Sequence, residues 1–210
     1  MGEQMIDASI VPAPKQRNDR EENASITAGE TPEGWEEKPA KNREKDTDAR
    51  STKKKYGKLH YGYKNHVNVD RRHKLIRRYK VTDAAVHDSE VIDDVLDDDN
   101  TASDVWVDSA YRSAEIEEKL QERGLKSRIH RKGHRNRPLS KRVKQGNKTR
   151  SKVRARVEHV FGAQTNDMGG TLVRSIGIAR ATARIGLKNL AYNMRRAVQL
   201  EGLAVARAPT

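Results

Sequence analysis

The chain has 210 residues, 34% hydrophobic, 4% aromatic and 35% charged, with a formal net charge of +13. The absence of cysteine excludes a disulfide framework and thiolate metal centres, and no apolar run is long enough to span a membrane. The low apolar share implies one core with exposed arms, and the positive balance favours a polyanion such as nucleic acid. Met1-Gly2-Glu3-Gln4 lacks an apolar signal region, so the protein is expected to be soluble and intracellular.

Residues 5–11 are alternating and β-branched, which predicts a strand stopped by Pro12 and Pro14. Residues 15–55 lack apolar periodicity and carry Pro32, Gly34 and Pro39 as breakers, which predicts a long mobile insertion anchored only by Trp35. Alternation over residues 59–69 and 75–82, around the turn Asp70-Arg71-Arg72-His73, predicts a hairpin. A short helix capped by Asp88 or Ser89 follows, with Val91, Ile92, Val95 and Leu96 buried, and its nearby Asp93, Asp94, Asp97, Asp98 and Asp99 read as a solvated face. Residues 105–107 form a short apolar strand. Ser113 opens a helix with Ile116 and Leu120 inward, ended by Gly124. Residues 126–130 read as a strand and 131–149 as a basic loop. A helix over 150–166 buries Val153, Val157, Val160 and Phe161, and Gly169-Gly170 breaks it. A last helix over 179–203 carries Ile185, Leu187, Leu190, Tyr192, Met194 and Val198.

Three acids stand out against this pattern. Asp7 lies inside the first strand, Asp108 follows the apolar run at 105–107, and Glu158 sits on the helix over 150–166. A carboxylate among core-facing residues is costly unless it is paired or holds a metal. Each alone is explained by a surface or cap role. Jointly they fall on two strands and a helix in the order required by an α/β, ribonuclease H-like fold, a mixed five-stranded sheet flanked by helices. On that fold residues 1–14 supply the first strand and 15–55 the mobile insertion. Residues 56–170 make the rest of the catalytic domain and 171–210 a C-terminal helical extension. The first and fourth strands would then be neighbours, with Asp7 facing Asp108 and Glu158 above them. Hard oxygen ligands of this kind suit Mg²⁺ or Mn²⁺, two ions about 3.5–4 Å apart.

The residues around the acids go further. Asp7-Ala8-Ser9, the hairpin run His60-Tyr61-Gly62-Tyr63-Lys64-Asn65-His66, the run from Val81 through Thr82-Asp83 to His87-Asp88-Ser89, Val107-Asp108-Ser109-Ala110-Tyr111 and Arg154-Ala155-Arg156-Val157-Glu158-His159-Val160-Phe161-Gly162 resemble bacterial insertion-sequence transposases of the DDE superfamily. The resemblance covers residues 5 to about 200 and is to the group with a short insertion in the catalytic segment. It implies cleavage at the element's terminal inverted repeats and attack of a 3′-hydroxyl on target DNA. Asp7, Asp108 and Glu158 become the metal-binding triad, and double-stranded DNA, both element ends and target, becomes the partner of a homodimer in the cytoplasm, at the nucleoid. Two departures stand out. Arg154 matches the family's arginine four before the glutamate, but Ser151 stands where a tyrosine is usual and Thr165 where a lysine is usual. The family also carries a helical DNA-binding region before its first aspartate, so this chain is expected to be a C-terminal piece of a truncated or split element.

No acidic residue occurs from Arg123 to Val157. Such a run reads either as a solvated face or as a track for a DNA backbone, and its length and single sign favour DNA. The expected phosphate contacts are Lys64, Arg131, Lys132, Arg135, Arg137, Lys141, Arg142, Lys144, Lys148, Arg150 and Arg154. His66, His87 and Asp88 are candidate accessory residues, although a helix cap by itself explains Asp88 fully. A remnant that binds DNA without catalysis, and a ribonuclease H-like nuclease with another task, are the alternatives. The intact triad speaks against the first, and the hairpin and helix motifs against the second.

Overall fold

Gln4–Pro12 form the central strand β1, and its neighbours Met5 and Ile6 are both fully buried, one on each face of the sheet. The computed structural model describes residues 1–53, 57–131, 133 and 138–205. Strand β3 (Leu59–Asp70) runs antiparallel to β1 from Gln4↔Asp70 to Pro12↔Gly62, and β4 (Ile76–Asp83) completes the expected hairpin. On the other side of β1, β5 (Asp104–Trp106) is parallel, with Gln4 opposite Val105 and Met5 opposite Trp106. The two-residue β6 (Lys126–Ser127) extends the sheet in parallel, shorter than the predicted strand over 126–130. Gly62 is required where β1 and β3 converge: its φ is 144°, and a Cβ there would run into the Val11 carbonyl and the Ala13 amide.

The sheet has six strands, not the expected five, because the insertion contributes β2 (Arg50–Lys53), paired with β3 on the edge it shares with β4. The insertion is therefore not irregular. It contains α1 (Arg20–Ala28), opened by a reciprocal capping box between Asp19 and Glu22 and closed by a left-handed Gly29, and then α2 (Pro39–Glu44). Buried Trp35 donates its indole N–H to Glu22 at 2.9 Å, and buried Asp46 accepts the Tyr63 hydroxyl at 2.7 and 2.8 Å. Caps and single anchors hold these short elements, and neither leaves an apolar period to read.

Helices cover both faces. Ile6, Val105 and Val107 pack against Val91, α3 (Ile92–Val95) and α4 (Ala114–Glu122). Met5, Val67, Val69 and Trp106 pack against Val153 of α5 (Lys141–Arg154), Val157, and Val160 of α6 (Glu158–Gly162). Helix α5 begins nine residues before the predicted start. Ser140 caps it by accepting from the Val143 amide, and its many Lys and Arg residues are good helix formers, so the basic stretch after Ser140 is helix and not loop. Tight i→i−3 bonds at Arg156 and Val157 separate α5 from α6, and a π turn over Ala163–Asp167 ends the run.

The acidic run at 93–99 is not simply solvated. Asp97 is buried and pairs with Arg77 and Arg78, while Asp93 meets Lys119 and Arg123. The last helix, α7 (Ile178–Val205), departs from its predicted face. Ala181, Ile185 and Tyr192 are buried, but Leu187, Leu190, Met194 and Val198 are exposed. Polar side chains hold the sheet-facing stripe instead. Asn189 bonds Asn65 and Gln164, and Asn193 bonds both the amide and the carbonyl of Ile76. Close docking is possible because residue 186 is glycine, where a Cβ would strike the Tyr79 hydroxyl.

Candidate active site at the end of β5

Met5 lies opposite Trp106, so two further residues along each parallel strand bring Asp7 level with Asp108. Both share the parity of Met5 and Trp106 and hence the face beneath α5 and α6. Strand β5 ends at Trp106, which opens a notch beside β1. Asp108 turns the chain there, its carboxylate accepting the Ser109 amide at 2.6 Å and capping a short 3₁₀ helix over Ser109–Tyr111. Asp7 accepts the Ala8 amide at 2.9 Å.

From the last residue of α5, Arg154 reaches into the notch. Its Nη1 lies 2.8 Å from Asp7 Oδ2 and 4.0 Å from Asp108 Oδ2. Burial raises the Asp7 carboxyl from its ordinary 3.8 to about 6; Arg154 and the Ala8 amide act against the rise, and Glu158 and Asp108 add to it. Glu158 opens α6 one turn beyond Arg154 and is exposed. Its charge bears on Asp7, but among the described residues no three acidic or imidazole side chains are gathered tightly enough to hold a metal ion. Two of the three expected acids are thus brought together around one guanidinium, and the third stands at the rim. Glu158 also borders a cleft of about 470 Å³ with Lys74, His159, Arg195 and Arg196.

Sequence reading missed Tyr111. Its hydroxyl is buried without a hydrogen-bond partner, in a field from Asp88, Asp7 and Asp108 that adds to burial in raising its pKa. Its place three residues after Asp108 was the available signal.

The accessory candidates lie on the opposite face of β1, because His66 is paired with Ala8 and Lys64 with Ile10. Lys64 was expected to meet phosphate, yet its ammonium donates to the Val86 carbonyl at 2.6 Å and to Asp88 at 2.9 Å. His66 is fully buried, bonds the Thr82 hydroxyl at 2.9 Å, and is pushed by burial down to about 4, so it is neutral. His87, and neither Asp88 nor Ser89, caps the following 3₁₀ turn, since its Nδ1 accepts the Ser89 amide. Lys64 and Asp88 are thus paired with each other and His66 with Thr82, while His66 Nδ1 has no partner and His87 bonds only its own turn.

Of the basic stretch, Arg131, Arg142 and Arg150 surround a hollow of about 380 Å³ with Val143 and Gly146. Burial and the nearby Arg131, Arg128 and Arg112 lower the Arg150 pKa, which marks crowding of like charge. Lys141, Lys144 and Lys148 are exposed on α5. Arg154 turns inward to Asp7 instead of outward. Lys132, Arg135 and Arg137 lie outside the described residues.

Residues 3–194 match the model of the transposase DDE domain. Over 153 residues the chain is 31% identical to the transposase for insertion sequence element IS1106 of Neisseria meningitidis serogroup B, covering 73% of this chain and 52% of that protein. The chain thus spans about half the length of the curated relative it matches. No solved structure matches it. A family match that runs from before Asp7 to beyond Glu158, with both acids of the notch inside it, means that the chain belongs to the transposase DDE domain family.

Proposed function

We propose that this chain carries the catalytic core of insertion-sequence transposition, cutting double-stranded DNA at element ends and joining a 3′-hydroxyl to target DNA. On this reading the sheet and its helices are ribonuclease H-like, and the active form is a homodimer working in the cytoplasm. No described helix is long and apolar enough to cross a membrane. The observation that carries the proposal is the pair Asp7 and Asp108 around a single cationic point, the Arg154 Nη1. A guanidinium stands there as a surrogate cation between hard carboxylate oxygens, so the donor set fits Mg²⁺ or Mn²⁺.

Asp7 and Asp108 would hold the metal with Glu158, whose position on the rim lets it close from α6. When bound, two such ions activate the attacking oxygen and stabilise the leaving one. With Asp7 given over to a metal, Arg154 would be free to meet a phosphate. Arg131, Arg142 and Arg150, with the lysines of α5, orient the duplex through its backbone and carry no sequence information directly. Ala8 holds Asp7 through its amide, and Ser109 holds Asp108, so the two carboxylates keep their spacing when Arg154 leaves.

Nicking of supercoiled plasmid with Mg²⁺ or Mn²⁺ tests the proposal. Cleavage should need the metal, stop with chelator, and be lost in Asp7→Ala. Cleavage that survives Asp7→Ala would sink it. The distance of Glu158 from the other acids favours a second reading, a DNA-binding remnant without catalysis. Tight plasmid binding with no nicking in either metal is its signature.

A further inference from the structure

The cleft of about 470 Å³ that Glu158 borders runs between the β3–β4 turn and the C-terminal half of α7. Its cations come from segments far apart in sequence and were not among the expected DNA contacts. Lys74 is the sole described non-glycine residue with positive φ, at 60°. That conformation is disfavoured for a lysine and persists only where surrounding contacts impose it. Those contacts are present. The Lys74 amide donates to the Asp70 carbonyl at 2.8 Å, and the Tyr192 hydroxyl donates to the Lys74 carbonyl at 2.8 Å. Arg196 Nε donates to the His73 carbonyl at 2.8 Å. The turn is therefore clamped to α7, and the clamp holds a lysine against an arginine.

The charges in the cleft are not balanced. Arg195 has Asp167 at 3.3 Å, but beyond its bond to His73 Arg196 gives one Nη1 hydrogen bond, to the side-chain oxygen of Gln199, a neutral group. Burial lowers the Lys74 pKa, and so do Arg196 and Arg156, with no carboxylate acting the other way. Three cations of the cleft, Lys74, Arg195 and Arg196, thus face two carboxylates, Glu158 and Asp167, and a surplus of partly buried positive charge is relieved by a bound anion.

We propose that this cleft is a second DNA-backbone site, in which Lys74 and Arg196 take a phosphodiester of the strand that passes Glu158. It rests on the proposal that the chain acts on DNA, and it adds residues from the hairpin turn and α7 to the contacts from α5. A phosphodiester suits the cleft because it brings one negative charge and two acceptor oxygens to several converging donors. Binding there would also fix the strand against α6, the element that carries Glu158.

The test is duplex binding by fluorescence anisotropy over a range of salt, with chelator present so that no cleavage occurs. Lys74→Asn keeps a residue that tolerates positive φ, and it is combined with Arg196→Gln, whose amide can still donate to the His73 carbonyl. The slope of log affinity against log salt should flatten by about 0.9 for each phosphate no longer neutralised. Gln199→Glu, at an exposed position on the cleft wall, should weaken binding several-fold by pairing with Arg196, without disturbing the core. If the parent protein binds with a steep slope, and neither the double variant nor Gln199→Glu changes slope or affinity, the cleft is not a DNA site. If the parent protein itself binds no duplex, the proposed function fails, and this inference fails with it.

Discussion

On the face of β1 shared with α3 and α4, Lys64, His66, Thr82 and Asp88 form a network in which one ammonium meets one carboxylate and the imidazole is neutral. On the opposite face, Asp7 and Asp108 share one guanidinium, with Glu158 close enough to raise Asp7 further. Both clusters stand out in the sequence because they put polar groups among apolar ones. They differ in balance. The first is balanced in charge, with only the Nδ1 of the neutral His66 left without a hydrogen-bond partner, and pairing of this kind makes a buried charge tolerable in a fold. The second carries more negative charge than its counterion neutralises, and such imbalance is characteristic of functional sites. Counting partners therefore separates the two where residue type does not.

The strongest way to break the comparison is to remove charge from the unbalanced cluster. Asp7→Ala, Asp108→Ala and Glu158→Ala should each lower metal-dependent plasmid nicking by about 10²–10³-fold or more, the scale of losing one preorganised electrostatic group. Duplex binding in chelator should persist or improve. Normal nicking by the Glu158 variant would confine the site to the Asp7–Asp108 pair.

Stability against pH is the next measure. The folded-state value for Asp7, about 6, lies above its ordinary 3.8, so its contribution is fully present below 3.8 and is lost as pH rises through 6. The groups facing it are Arg154 from α5, Glu158 from α6, Asp108 after β5 and the Ala8 amide. In metal-free protein, Asp7→Asn should gain on the order of 3 kcal/mol relative to the parent between pH 4 and pH 8, by urea denaturation. His66 works in the opposite sense. Its value falls from 6.5 to about 4, so its contribution is present above 6.5 and is lost as pH falls towards 4. A flat difference between Asp7→Asn and the parent would mean that Asp7 is not held in a costly environment.

A smaller effect is expected from breaking the balanced cluster. Asp88→Ala leaves the Lys64 ammonium largely buried without its carboxylate, at a cost of about 1–3 kcal/mol. Nicking per folded molecule should be unchanged. A loss of nicking without a loss of stability would move Asp88 from the structural network into the active site. The smallest expected effect concerns the surrogate cation. Arg154→Gln should bind Mn²⁺ a few-fold more tightly in calorimetric titration, because no internal cation competes for Asp7. Weaker binding would mean that Arg154 holds the carboxylates in position for the metal.

Much of the sheet was legible because its signals are local. Alternation at 5–11 and across the hairpin, the Ser113 cap with Gly124, and the spacing of Val153, Val157 and Val160 all appear in the structure. The juxtaposition of Asp7 and Asp108 was expected only because the ribonuclease H-like fold makes the first and fourth strands neighbours, and the parallel β1–β5 pairing has it. The insertion was misread because its helices are set by a capping box and its burial by Trp35 and Asp46, and neither produces a period. The α7 face was misread because its sheet-facing stripe uses Asn189 and Asn193 to satisfy polar groups of the sheet, which leaves leucines outside.

By itself the sequence determined the faces of the central strands and of the helical segments around Ile116 and Val157, and the basic character of the chain. Each of these depends on residue type at short spacing, where side-chain direction follows directly from backbone period. Only the tertiary structure decided that Arg154 turns into the notch, that Glu158 stands at its rim, that Lys64 is internally bonded and that Lys74 meets Arg196 across a cleft. Those outcomes depend on which helix lies over which strand end, and the energy of each charge is set by neighbours distant along the chain.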